Sequence, residues 1–289
     1  MADITFLIVT FKSSSVIHKC LQSIPKGYPI LVVENSSDEN FKKELENSYE
    51  NLECILNYEN LGYAKANNIG LEKAKTKYVF LINPDAILKE DTVQTMLTAS
   101  EDIKDFALLA PVIQNELSPN FGFFDRDTTD NLKKDLENNR YTKVDYIKGF
   151  AMFFNMEEFR SIGFFDQNIF IYLEEIDLCK RLKANKKNIY VISNATITHY
   201  GGKSHDEDVN YEMEVSRNWH WMWSSFYFEK KHNGIVTAYL KTFKSFLSAL
   251  LKFLIIFLFN KKKASYYQAR FLGLLNAYLC KPSSYRPKV

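Results

Sequence analysis

The stretch Tyr78-Val-Phe-Leu-Ile-Asn-Pro-Asp-Ala86 constrains the fold of this chain more than any other. Tyr78 to Ile82 is aromatic, β-branched or leucine with no polar break, the pattern of a strand buried on both faces, as in a parallel sheet under helices. Proline donates no amide and moves the residue before it out of the helical region, so the strand must end at Asn83-Pro84. Asp85 is thereby presented at the carboxyl end of a buried strand, where open α/β sheets bind their ligands. A carboxylate fixed there can hold a hard divalent cation, which can in turn hold a diphosphate. Turn chemistry accounts for the same residue types: Asn-Pro-Asp also reads as a turn that caps a helix starting near Asp91.

The flanking pattern extends this strand into a sheet. Ile4–Val9, Ile30–Val33 and Cys54–Leu56 read as further buried strands. Between them lie helical stretches from Ser13, Ser14 or Ser15 (any of which can cap) to Ile24, from Phe41 to Tyr49, and from Tyr63 to Ala74. Strand and helix alternating four times within ninety residues predicts a doubly wound α/β domain. Farther on, Thr92–Ser100 reads as helix, Phe106–Ile113 as a strand broken by Pro111, and Ser118–Asn139 as loop with a short charged helix. Tyr146–Phe154 reads as one strand carrying Gly149. Leu173–Asn185 is predicted helical, Tyr190–Ile192 and Ala195–Thr198 are short strands, and Glu212–Lys231 is a long aromatic helix.

Apolar residues make up 46% of the 289, enough for a sizeable core. Cys20, Cys54, Cys179 and Cys280 form no CxxC pair, which argues against a zinc site or a disulfide framework and suits a reducing cytoplasm. The start of the chain reads as a strand and not as a signal peptide. The net charge of +2 hides an asymmetry: the region from Lys230 onward holds twelve Lys and Arg and no acid, so the first 229 residues carry a balance of −10. Nothing in the pattern points to nucleic acid. The expected division is therefore an acidic body, 1–229, and a basic amphipathic helical segment, 230–289. Within that segment Phe243–Phe259 is strongly apolar, but its longest unbroken apolar run, Phe253–Phe259, is only seven residues. A spanning helix needs roughly twenty. A helix lying in an anionic membrane interface fits better, followed by a second helix, Tyr266–Leu279. A docked helical pair or a homodimer contact is the other account of it.

Three more clusters carry chemistry. Glu174, Glu175 and Asp177 sit at the start of a helix, with Arg181 four residues after Asp177, the spacing of an ion pair. A carboxylate among them drawn into an apolar cleft has the raised proton affinity of a general base. His199 leaves a strand into Tyr200-Gly-Gly-Lys-Ser204 and can join Asp85 in a metal site. Asn60-Leu-Gly-Tyr-Ala-Lys-Ala-Asn-Asn-Ile-Gly70 opens a helix whose amides can read a phosphate, a sugar or a base, or simply cap the helix. GxGxxG is absent.

Taken in order, these residues resemble the inverting family-two glycosyltransferases of the GT-A fold, most closely their rhamnosyltransferase-like branch. The matches are Ile8-Val-Thr-Phe11, Glu34-Asn-Ser-Ser-Asp38, the Asn60–Gly70 stretch, Asn83-Pro-Asp85, and Gly163-Phe-Phe-Asp166 leading to Glu174-Glu-Ile-Asp177, Arg181 and His199-x-Gly-Gly-x-Ser204. They run from Ile4 to about Ser204. The resemblance implies a nucleotide-sugar donor bound by Thr10, Phe11, Glu34, Asn35, Asn67, Asn83 and Asp85, with Arg181 close by. It implies a magnesium or manganese ion on Asp85 and His199, and a base at Glu175 with Glu174 and Asp177 as rivals. Arg217 is a further phosphate contact. The chain departs from the family where Asn83 replaces the first Asp of DxD, Glu34 and Glu175 replace Asp, and Lys12 stands where Asn is frequent. The donor expected by branch is dTDP-rhamnose, with a UDP-sugar as runner-up. The basic tail suggests a lipid-linked glycan acceptor in cell-surface polysaccharide synthesis, at the cytoplasmic face of a membrane. A catalytically silent nucleotide- or glycan-binding relative is the competing class. A nucleotidyltransferase would need a glycine-rich basic loop where Thr10-Phe-Lys-Ser13 stands.

Overall fold

The computed structural model describes residues 3–114, 119–124, 136, 138–201 and 204–287. The predicted loop Ser118–Asn139 falls largely outside the described residues, as do Gly202 and Lys203 of the histidine loop.

The buried runs become the centre of one sheet. Strands β1 (Ile4–Thr10), β2 (Ile30–Glu34), β3 (Leu52–Leu56) and β4 (Tyr78–Ile82) lie parallel in the order β3-β2-β1-β4. Every residue of β1, β2 and β4 is buried, as expected of strands covered on both faces. The sheet continues from β4 through β10 (Ala151–Asn155), β6 (Phe106–Ile113) and β11 (Asn188–His199) to β5 (Ala86–Leu88), while β8 (Tyr141–Val144) pairs with the first half of β11. Side chains alternate across it. Phe6, Tyr78, Phe80, Phe106 and Phe153 share one face and form a chain of ring contacts 5.0–6.0 Å apart. Helices α1 (Ile17–Ser23), α2 (Glu39–Ser48) and α4 (Thr92–Asp102) complete that core. On the other face α3 (Tyr63–Lys73) comes so close that a Cβ on Gly70 would lie 2.1 Å from Leu7 Cδ1.

Several expectations change. The serines do not cap α1: Ser13 offers its carbonyl to the amides of Val16 and Ile17, and Ser14 and Ser15 bond Asp206. Pro111 does not break β6. Buried Asn120 donates to the Pro111 carbonyl (2.8 Å) and accepts from the Ile113 amide (3.2 Å), so one side chain closes the ladder around the missing donor. Tyr146–Phe154 is split at Lys148-Gly-Phe150 into β9 (Tyr146–Ile147), which pairs antiparallel with β7 (Phe121–Gly122), and β10. The two short strands after Asn185 are one, β11, with a register shift between Ile192 and Thr196 where its partner changes from β8 to β5.

The chain divides into two compact units. The sheet and its helices make the first, together with α5 (Glu174–Ala184) from Glu175 onward. The second comprises residues 62–64, 166–174 and 207 onward, so position 229/230, where body and tail were expected to part, falls inside the helix α6 (Asn210–Asn233). In this unit α6, α7 (Ile235–Phe257) and α8 (Lys261–Tyr278) share a core of Trp219, Met222, Trp223, Phe226, Ala238 and Leu274. Gly273 lets α8 approach the backbone of α6, where a Cβ would lie 2.3 Å from the Trp219 carbonyl. The segment after α8 straps α6 through Trp223 Nε1 to the Lys281 carbonyl (3.0 Å) and His220 Nε2 to the Tyr285 carbonyl (3.1 Å). No helix among the described residues is long and apolar enough to cross a membrane.

Candidate active site

The sheet topology gathers the predicted residues at one edge. β1, β2 and β4 end there, and the register pairs Thr10 with Glu34. β10 runs antiparallel to β4, so its first residues lie at the same edge, where the Asn83 amide donates to the Phe150 carbonyl (2.9 Å). β11 ends there too, and its antiparallel pairing with β5 sets His199 opposite Ala86, one residue beyond Asp85. A ligand edge at the carboxyl ends of these strands is the expected place for a site in an open α/β sheet.

Asp85 is the central group. It is 3% exposed, and neither carboxylate oxygen accepts a hydrogen bond among the described residues. Its Oδ1 lies 3.4 Å from His199 Nε2. The His199 ring stacks on Phe150 at 4.2 Å and 7°, which fixes its plane. The capping role open to Asn-Pro-Asp is not what the fold uses: Asp91 makes no side-chain cap on α4, and the Lys89 amide bonds Thr92 Oγ1 instead. A buried carboxylate with two unbonded oxygens is costly unless a charge or donor completes it. Asp85 and His199 therefore fit a divalent cation as one oxygen and one nitrogen donor, the remaining positions being left to substrate or water. No group of three or more His, Cys, Asp or Glu side chains surrounds a common point among the described residues.

The nucleotide side is built by hydrogen bonds at the ends of β1 and β2. Glu34, fully buried, accepts from Thr10 Oγ1 on one oxygen and from the Ser36 hydroxyl and amide on the other. Asn35 accepts from Asn57 Nδ2 at 2.8 Å. Phe11 is half-buried, and its amide donates to Ser13 Oγ. Lys12 holds φ +50°, a conformation asparagine tolerates better than lysine, which gives a backbone reason for the family's residue at this position. Asn67 is fully buried on α3. Its neighbour Asn68 is structural: its amide group pairs with both backbone groups of Phe165.

The acidic cluster separates by partner. Asp177 is fully buried and bonded to Arg181 Nε at 2.9 Å. The Arg181 guanidinium also donates to the carbonyls of Ile162, Gly163 and Phe164. The structure thus gives these two, expected as rival base and nucleotide contact, a common task in clamping the turn before α5. Arg217 is bonded to Glu214 at 2.8 Å. Glu174 is buried at the head of α5. Glu175 has an Oε2 out of solvent with no hydrogen-bond partner among the described residues. Burial pushes its proton affinity up to about 7, against the opposing pull of the Glu175 and Ile176 amides and of Lys148. A carboxylate poised at neutrality can accept a proton at working pH. Lys148 and Phe150 were missed as site residues. The signal available was a lysine and a glycine interrupting an otherwise apolar strand.

Residues 5–162, more than half of the chain, match the family described as Glycosyl transferase family 2. The chain is 24% identical over 201 residues to a low-salt glycan biosynthesis hexosyltransferase of Haloferax volcanii, covering 65% of this chain and 64% of that one. It is also 24% identical to a rhamnosyltransferase of Escherichia coli K12, covering 74% and 88%. Among solved structures, a mannosyltransferase of Pyrobaculum calidifontis superposes with a TM-score of 0.58 at 13% identity over 94% of this chain and 87% of its own. Residues 1–349 of TarS of S. aureus superpose with a TM-score of 0.54 at 14% identity over 99% and 93%. The chain spans less than two thirds of the length of the first-named hexosyltransferase. Sequence, sheet order and the acid-bearing edge agree: the chain belongs to glycosyl transferase family 2 and has the GT-A fold.

Proposed function

We propose that this glycosyltransferase moves a hexosyl unit, rhamnose from dTDP-rhamnose, with inversion onto a lipid-linked glycan acceptor of a cell-surface polysaccharide. The observation that carries a metal-dependent donor site is the buried, unbonded Asp85 carboxylate beside His199. When bound there, a magnesium or manganese ion supplies positive charge to the diphosphate of the donor. Thr10, Phe11, Glu34 and Asn35 hold the base and ribose, and Asn67 and Asn83 face the donor. Glu175 takes the proton of the acceptor hydroxyl as its oxygen bonds the anomeric carbon and the bond to the nucleoside diphosphate breaks. Its neutral-range proton affinity supports that role.

The rhamnosyl donor is supported by the Asn-Pro-Asp branch resemblance and by the Escherichia coli relative named a rhamnosyltransferase. A UDP-sugar is the second reading, because TarS and GalNAc-T7, which share the fold, were solved with UDP. A thermal-shift titration with dTDP, UDP and GDP, each with and without manganese, separates them, since a ligand of the native state raises Tm by mass action. A metal-requiring shift with dTDP is expected. A shift with UDP alone changes the sugar and keeps the site. No shift with any of the three refutes the donor site.

A further inference from the structure

Helix α7 carries two opposed faces. Ala238, Thr242 and Ala249 are buried, and Phe246 packs on Phe271 and Tyr278 of α8 at 5.0 and 5.1 Å. The opposite face presents Leu240, Phe243, Leu247, Leu251, Leu254 and Leu258, spaced 3, 4, 4, 3 and 4 residues apart and all exposed, Leu240 at 75% and Leu258 at 76%. That is one continuous apolar stripe along a helix of 23 residues, about 35 Å long at 1.5 Å per residue. An exposed contiguous stripe of this extent marks a docking surface. Exposed Lys244 borders it, exposed Lys261 and Lys263 open α8 just after its end, and neither α7 nor α8 contains an acid. Lys241, by contrast, is taken up by Glu229 at 2.9 Å.

We infer that this face of α7 lies in the headgroup region of an anionic lipid bilayer, leucines toward the acyl chains and lysines toward the phosphates. The charge pattern selects this occupant. A second copy of the helix would set lysines against lysines with no acid to relieve them. An anionic surface attracts each of them. The helix does not cross the bilayer, and an apolar face of this width, backed by a packed inner face, is the form of an interfacial helix. The inference deepens the reading of a lipid-linked acceptor and rests on it for its purpose, since it brings the enzyme to the surface where such an acceptor resides.

The test uses the full chain with no sugar donor or acceptor, so its failure would leave the donor reading untouched. Cosedimentation is measured with vesicles of phosphatidylcholine alone and of phosphatidylcholine mixed equally with phosphatidylglycerol. Binding to the mixed vesicles is expected, with partition at least tenfold lower on phosphatidylcholine. Leu247→Asp with Leu254→Asp, both on the exposed face, should lower partition by about a hundredfold. Lys261→Glu with Lys263→Glu should lower it by about tenfold or more. Acids in the first turn of α8 suit the helix dipole, so this second variant keeps the fold even if the first does not. Equal binding to both vesicle types overturns the inference, as does unchanged binding of the lysine variant. So does a lipid-free dimer that Leu247→Asp dissociates, which would make the stripe an interface between two copies.

Discussion

Replacing Glu175 by glutamine should lower activity and raise stability together. In the fold the proton affinity of Glu175 moves from the ordinary 4.5 to about 7, burial being the largest cause. Holding the side chain ionised therefore costs about 3 kcal/mol. Because the folded-state value is raised, the folded protein binds more protons than the unfolded chain between pH 4.5 and 7. Wild-type stability accordingly falls as pH rises through that window. Glu175→Gln removes this loss, so above pH 7 the variant should be more stable by up to about 3 kcal/mol, several degrees in Tm, and the two proteins should converge below pH 4.5. Transfer, measured as nucleoside diphosphate release with saturating acceptor, should fall about 10²- to 10⁴-fold, while nucleotide binding by thermal shift is unchanged. In the wild type kcat/KM should rise with pH through a midpoint near 7, about tenfold per unit well below it. Lys148→Met should move that midpoint upward, since Lys148 favours the ionised form. A limb centred near 4.5 would refute the assignment, and so would a glutamine variant that keeps its activity or loses stability along with it.

Three further outcomes are expected. Asp85→Asn should abolish the manganese-dependent rise in Tm with nucleotide while leaving the metal-free Tm equal or higher, because the carboxylate it replaces makes no hydrogen bond; differential scanning fluorimetry reads both. Asp177→Asn should lower stability by about 2 kcal/mol by weakening the charge-assisted hydrogen bond that the partly exposed Arg181 makes to the buried Asp177, and should leave the midpoint of the pH–rate limb in place. His220 is held neutral, with burial lowering its proton affinity from 6.5 to about 3, Nε2 donating to the Tyr285 carbonyl and Nδ1 accepting from Ser283. The unfolded chain takes the proton first, so stability should drop on acidification from pH 6.5 toward 3, at most about 1.4 kcal/mol per unit, and His220→Gln should flatten that slope in urea titrations.

Interior β1, β2 and β4 carry apolar runs long enough to stand alone, and each run ends at a residue that a strand cannot accommodate or that prefers a turn. The α/β class, the central parallel strands and the placement of Asp85 at a strand end were therefore legible locally, as were the order of the motifs and hence the family. Three things were not. Phe106–Ile113 was expected to break because proline lacks an amide, yet Asn120, nine residues on, bonds the Pro111 carbonyl and the Ile113 amide and holds the strand together across the gap. The acids Glu174, Glu175 and Asp177 look alike in sequence; only the fold sets Asp177 on Arg181 and leaves Glu175 dehydrated near Lys148. The apolar tail showed its composition but not which leucines face outward, a matter settled by the packing of Ala238, Thr242 and Phe246 against α8. The central strands rest on unbroken apolar runs in the chain itself, so the sequence alone determined them. Ionisation, hydrogen-bond partnership and exposure depend on groups distant in sequence, and only the tertiary structure decided them.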